Sequence, residues 1–254
     1  ADHLDIYGTA NELTNTFNDF AQKVSAEKRF IANGLGVDGN TFGIEAGTHR
    51  VHNLRITKGS YVFDFVTPTL RISNVALPYP GEHNVMNAAA ALALALEAGC
   101  EPEQLKAGLA KFKGVDRRFS IRLTAPKVVI DDYAHHPTEI NAVADALEAF
   151  YPNQIKLGVF QPHLFSRTRD FLTGFKQALA RFDEVLLLDI YPARELPMEG
   201  ITSALLVDES HTATQLIDKH MLSEMIAKST ATVVAIMGAG DIAFEVPAVI
   251  QTLK

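Results

Sequence analysis

The sequence predicts an α/β protein whose second half carries a mostly parallel sheet, and three observations support that reading. From Phe119 onward, short β-branched runs alternate with amphipathic helical patterns, the signature of right-handed βαβ crossovers. Residues 28–78 have a different character, with short segments separated by Gly and Asn. Between these stretches, K-G-V-D-R-R at 113–118 reads as a linker. The domain boundary is therefore placed so that residues 1–114 form one domain and residues 115–254 a second.

Composition limits the functional classes. The chain has 254 residues, 47% hydrophobic and 21% charged, which suits one large or two modest globular domains. Lys plus Arg number 23 against 30 Asp plus Glu, a formal charge of −7, so a broad basic footprint for nucleic acid is not expected. The single cysteine, Cys100, cannot form an internal disulfide, and a reducing cytoplasm is the natural setting. The longest apolar run, 88–96, is about half of the ~18 residues that a membrane span requires, and no secretory n-region with an h-region opens the chain. Because the chain starts with A-D-H-L-D rather than Met, it reads as a piece of something longer.

Taken in order, residues 11–24 place Leu13, Phe17, Phe20, Ala21 and Val24 at helical spacing, which predicts a helix with one buried face. His3 lies between Asp2 and Asp5; it either holds a divalent metal or belongs to a solvated turn. Segments 41–44, 50–56 and 61–66 read as small antiparallel strands, with Thr57-Lys58-Gly59-Ser60 as a hairpin connection. P-Y-P-G-E-H-N-V-M-N at 78–87 then starts an Ala/Leu helix expected to be buried on most sides. Asn84 and Asn87, three apart, share a face of its first turn. Amides there suit a purine edge, although capping alone also explains them. A shorter helix follows at 101–112. Arg117 and Arg118, at the domain junction, suit a phosphate or a solvated basic turn.

In the second domain, residues 128–130 form a buried strand and Pro137 opens a helix to Phe150. Between them stand Asp131, Asp132, Tyr133, His135 and His136, at the strand end where open α/β sheets place ligands. Further strands are expected at 155–160, 185–190 and 232–237, with a helix near 166–180 and a long loop at 191–203. Q-P-H-L-F-S-R-T-R-D at 161–170 puts Arg167 and Arg169 in a first helical turn. Cations oppose the helix dipole there, so a negative partner is expected, either a ligand or Asp170. M-G-A-G-D-I at 237–242 lacks the third glycine of a dinucleotide fingerprint and reads as a tight turn. No G-x-x-x-x-G-K-[ST] occurs anywhere.

Six groups of residues together resemble the Mur ligase family: D-H-L-D at 2–5, P-G-E-H-N-V-M-N at 80–87, R-R-F at 117–119, D-D-Y-A-H-H-P-T-E-I at 131–140, F-Q-P-H-L-F-S-R-T-R-D at 160–170 and D-I-Y-P-A-R-E at 189–195. The resemblance runs along the whole chain; the second and fourth motifs are the specific ones. It implies part of a central ATPase-type α/β domain, without its P-loop, followed by a Rossmann-like C-terminal domain. The implied activity is ATP- and Mg²⁺-dependent joining of L-alanine to UDP-N-acetylmuramate through an acyl phosphate, in peptidoglycan precursor synthesis.

The same resemblance implies residue roles. His3 matches a Mg²⁺-associated histidine, Asn87 an adenine-reading asparagine, and Asn84 a further nucleotide-site residue. Arg118 matches an ATP-phosphate contact and Asp132 a ribose-binding carboxylate, while Tyr133 and His135 line the reaction centre. Arg167 matches one of two basic positions that hold the carboxylate of the incoming alanine; the other is Leu164 here, which leaves that carboxylate short of a partner. A murein-tripeptide-recycling ligase of the same family is the nearest alternative. A metal-dependent hydrolase using Asp132, His135, His136 and His163 is a more distant one. The 254 residues alone are expected to show no ligase turnover, and to self-associate through apolar surface on the truncated first domain.

Overall fold

The computed structural model describes residues 7–207 and 213–254. The chain forms two compact units, Ala1–Phe112 and Lys113–Lys254.

The first unit opens with helix α1 (Ala10–Ala21), started by a capping box in which Thr9 accepts from the Glu12 amide at 3.2 Å and Glu12 accepts from the Thr9 amide at 2.9 Å. The expected buried face is not found: no residue of α1 is buried, and Phe17 and Phe20 are 59% and 67% exposed. A five-stranded sheet follows in the order β1 (Phe30–Ala32), β2 (Asn40–Ile44), β3 (His49–Thr57), β4 (Ser60–Val66), β5 (Arg71–Leu77). The antiparallel expectation holds only for β3, β4 and β5; β1 with β2 and β2 with β3 pair in parallel. Parallel neighbours usually need a long crossover, but β3 begins opposite Phe42, inside β2, so the connection retraces only a short distance. The hairpin at Lys58-Gly59 is present, both residues having the positive φ (52° and 73°) that a type I′ turn demands.

Helix α2 (Glu82–Glu97) packs Val85, Ala88, Ala89, Leu92 and Ala93 into this unit. It buries one face rather than most sides; Leu94 is 52% exposed. Helix α3 (Pro102–Ala110) lies against β5.

The second unit is a six-stranded sheet, built from β6 (Ser120–Leu123), β7 (Val128–Asp132), β8 (Lys156–Phe160), β9 (Glu184–Leu187), β10 (Ala213–Leu216) and β11 (Val233–Met237) in the order β10-β9-β8-β11-β7-β6. Every pair is parallel except β6 with β7. Helix α4 (Pro137–Phe150) follows β7. The helix expected near 166–180 breaks at Phe171 into α5 (Phe165–Asp170) and α6 (Leu172–Leu179). Strand β9 stops at Leu187, short of Ile190, and β10, a short polar strand, was not legible in the sequence.

One core joins α4 and α6 through Ile140, Leu147 and Phe175; the core on the other face holds α7 (Leu222–Lys228) and α8 (Val246–Leu253) through Ile226 and Val249. The chain thus leaves β11 toward one face and leaves its neighbours β7 and β8 toward the other. A crevice opens where such connections part, at the carboxyl ends of these three strands.

Candidate functional site

The last residues of β7 and the loop to α4 form a polar cluster. Asp131 is spent on structure: it accepts from Arg117 Nε at 3.3 Å and Arg122 Nη2 at 2.9 Å. Asp132 is 6% exposed and accepts two backbone amides, Phe119 at 2.7 Å and Ala134 at 2.7 Å. Burial pushes its carboxyl above the usual range, against those two donors. The second lone pair on each oxygen is what remains for a ligand hydroxyl.

Tyr133 is 37% exposed, with the Arg117 guanidinium 5.0 Å and the Arg118 guanidinium 5.7 Å from its ring centre. The backbones of Arg117 and Phe119, on either side of Arg118, both have positive φ (55° and 51°), an uncommon conformation for residues with side chains. It is held by Tyr133 N–H donating to the Arg117 carbonyl at 2.7 Å and by Arg117 Nη2 donating to the Gly238 carbonyl. His135 meets Tyr133 edge-on at 5.3 Å and His163 at 5.9 Å. His136 serves the helix instead: it is the N-cap of α4, accepting from the Thr138 amide at 3.3 Å, and its ring packs on Phe171.

Two loops are zipped together beside this cluster. Leu164 N–H donates to the Tyr191 carbonyl at 3.0 Å and Tyr191 N–H to the Pro162 carbonyl at 2.8 Å, while the His163 ring stacks on Tyr191. Leu164 has φ 72°, and Thr168 fixes it by donating its amide (3.2 Å) and its hydroxyl (2.9 Å) to the Leu164 carbonyl. The Leu164 side chain is buried and supplies no cation. Burial, then the nearby Arg167, lowers His163 to about 4, so the ring is neutral near pH 7; its Nδ1 is buried without a hydrogen-bond partner among the described residues.

Helix α5 is short enough that Arg167 and Arg169 stand in its last turn, where the dipole favours cations, and carboxylates of the chain itself lie at both of its ends. Glu195 accepts the Ser166 amide at 3.0 Å and the Ser166 hydroxyl, and Arg169 pairs with Asp170 at 2.7 Å. Although burial opposes it, these Ser166 bonds hold the Glu195 carboxyl below its usual range.

The tight-turn reading of M-G-A-G-D-I suits the geometry. A Cβ on Gly240 would stand 2.5 Å from Gln161 Oε1 and 2.6 Å from the Tyr191 ring. Gln161 itself bridges to Asp241 at 2.7 Å and to the Ile242 amide at 3.0 Å. Around this bridge lies an open cleft of about 670 Å³, bordered by Asp189, Tyr191, Asp218, Lys219, Asp241 and Glu245; Asp132, Tyr133 and His135 do not border it.

In the first unit, Asn84 is half-buried and donates to the Pro80 carbonyl at 2.6 Å, and Asn87 is exposed on α2; the N-cap is Gly81, not Asn84. His3 lies outside the described residues. Among the described residues no group of three or more His, Cys, Asp or Glu side chains could hold a metal ion.

Sequence reasoning thus placed Asp132, Tyr133 and His135 in one loop, Arg118 in the linker at the domain junction and Arg167 on a later helix; the structure sets the Arg118 guanidinium beside the Tyr133 ring. Sequence reasoning passed over Glu139 and Glu195. Glu139 had a readable signal, since it stands three residues after the N-cap in a capping box. Glu195 had none, because its partner Ser166 is 29 residues away.

Residues 1–95 match the family model of the Mur ligase middle domain, and residues 117–240 match that of the Mur ligase glutamate ligase domain. A UDP-N-acetylmuramate–L-alanine ligase of Christiangramia forsetii is 53% identical over 257 residues, covering 100% of this chain and 57% of that protein. Another, from Flavobacterium johnsoniae, is 46% identical, covering 100% and 58%. Among solved structures, the UDP-N-acetylmuramate–alanine ligase of Thermotoga maritima superposes with a TM-score of 0.81 at 26% identity, over 99% of this chain and 57% of that one. The MurF ligase of the same organism, solved with ADP, shares the fold at 18% identity and a TM-score of 0.73, over 99% and 59%. The chain therefore spans a little under three-fifths of the length of these relatives.

Proposed function

This chain belongs to the Mur ligase family, and on that premise we propose that its protein joins L-alanine to UDP-N-acetylmuramate in an ATP-driven reaction of peptidoglycan precursor synthesis. The observation that carries the reading is the 53% identity, along the whole chain, to a ligase of that name. A carboxylate does not acylate an amine in water; ATP supplies the phosphoryl group that turns it into an acyl phosphate. Attack by the amine then expels phosphate.

The residues available fit a nucleotide. In the second unit, half-exposed Arg118 and exposed Tyr133 offer a cation and an aromatic face; in the first unit taken by itself, Asn87 offers an exposed amide, with Asn84 in the same helical turn. In this reading Arg118 neutralises phosphate charge, which is the main work of catalysis in phosphoryl transfer. Asp132 meets the ribose, Tyr133 and His135 border the reacting groups, and Arg167 holds the carboxylate of the amino acid. Magnesium is assigned to His3.

A cytoplasmic setting accords with the single cysteine. Among the described residues no helix is long and apolar enough to cross a membrane, and the net charge of −7 does not suit nucleic acid. Self-association through the first unit is proposed from the apolar stripe on α1.

The test uses the protein expressed from its full reading frame. Phosphate release from ATP should require UDP-N-acetylmuramate and L-alanine together. The 254 residues alone should release none. Turnover with murein tripeptide but not with alanine would overturn the assignment in favour of the recycling ligase.

A further inference from the structure

The Glu139 carboxylate meets two of the groups assigned above. Its Oε2 accepts the backbone amides of His135 at 2.8 Å and His136 at 3.1 Å, and lies 3.2 Å from His135 Nδ1. Its Oε1 lies 3.7 Å from Arg118 Nη1. The same Nδ1 is 2.9 Å from the carbonyl oxygen of Tyr133. Nδ1 thus faces two acceptors, a carbonyl and a carboxylate, neither of which can donate. A lone pair on Nδ1 would be set against both.

We propose that Glu139 is a positioning residue that holds His135 as its Nδ1–H tautomer, so that Nε2 carries the lone pair offered to the reacting amine. Nε2 has no hydrogen-bond partner among the described residues, and the ring is held on its flanks by Tyr133 and His163. Which nitrogen is basic is set by the bond the other makes. The identity of the amine rests on the ligase reading. The α-ammonium of the amino acid gives one proton to Nε2, and its nitrogen lone pair forms the new C–N bond. The C–O bond to phosphate breaks, and phosphate leaves with a second ammonium proton as hydrogen phosphate. The amide keeps the third, and His135 ends as imidazolium.

The arrangement differs from a purely structural capping box in what its charge does. Glu139→Gln keeps the shape, since Gln also serves at this capping position, but removes the charge facing Nδ1 and Arg118. The experiment is long-range ¹H–¹⁵N spectroscopy of His135 in the protein from its full reading frame, wild type and Glu139→Gln, with steady-state kinetics on both.

Wild-type His135 should show a protonated Nδ1 and an unprotonated Nε2 when the ring is neutral, and Glu139→Gln should show a mixture of tautomers. The variant should lose kcat by about 10- to 100-fold, as for the outer partners of metal-bound imidazoles, with KM for the amino acid within about twofold. A wild-type ring protonated on Nε2, or a variant with unchanged nitrogen shifts and kcat, overturns the proposal. Absence of turnover in wild type beside the expected nitrogen shifts would sink the ligase reading while leaving the role of Glu139 standing.

Discussion

Glu195 closes over Ser166, taking the backbone amide on one carboxylate oxygen and the hydroxyl on the other. That contact ties the loop after β9 to the first turn of α5, the helix that carries Arg167. It also places an anion where the helix dipole favours one.

Glu195→Ala is therefore expected to lower stability by about 1 kcal/mol, the usual cost of a lost cap. If Arg167 holds the amino-acid carboxylate, KM for alanine should rise more than kcat falls. Thermal unfolding and initial rates on one preparation check both, and an unchanged KM would separate Glu195 from Arg167.

Asp64 shapes the acid response of the first unit. Arg71 at 2.6 Å, then the Asn74 amide at 3.0 Å, lower its carboxyl to about 2. A carboxylate depressed in the folded state stabilises above its unfolded value, and that contribution is lost as pH falls through about 2. Denaturant midpoints should therefore drop between pH 5 and pH 2, and Asp64→Asn should flatten that drop while lowering the midpoint at pH 7.

His163 has the opposite charge type but the same sign of effect. Its folded value of about 4 lies below the ordinary 6.5, so between those pH values the unfolded chain binds the extra proton. Stability from this group is complete above about 6.5 and declines as pH falls toward about 4. Proton NMR of the ring should show no titration between pH 6 and 8; a midpoint near 6.5 would contradict the buried environment.

Gly158 sits in the middle of β8, where an added Cβ would meet the Phe182 ring at 2.9 Å. Gly158→Ala should destabilise by about 1–3 kcal/mol through overpacking, measured by chemical denaturation, with a smaller loss if Phe182 is shortened to Leu in the same chain.

Phe17 and Phe20 stand exposed on α1. If self-association of the 254-residue chain runs through them, Phe17→Ser with Phe20→Ser should shift light scattering toward monomer. An unchanged mass would move the contact elsewhere.

Local chemistry made the chemical core of the second unit readable. A β-branched run, a polar loop and Pro137 with apolar residues at helical spacing are interactions between near neighbours, and they form β7, the cluster and α4. The Lys58-Gly59 turn was legible for the same reason, since its backbone angles are a property of two residues.

What the sequence by itself determined was therefore the kind of protein, the Asp132–His135 loop cluster, and the order of most strands along the chain. Tertiary structure alone decided that β1, β2 and β3 pair in parallel, that β11 inserts between β7 and β8, that no residue of α1 is fully buried, and that Asp131 is consumed by Arg117 and Arg122. Strand pairing and carboxylate partnership depend on groups far apart in sequence. Local spacing carries no record of those distances, so only the folded chain selects which partner each group finds.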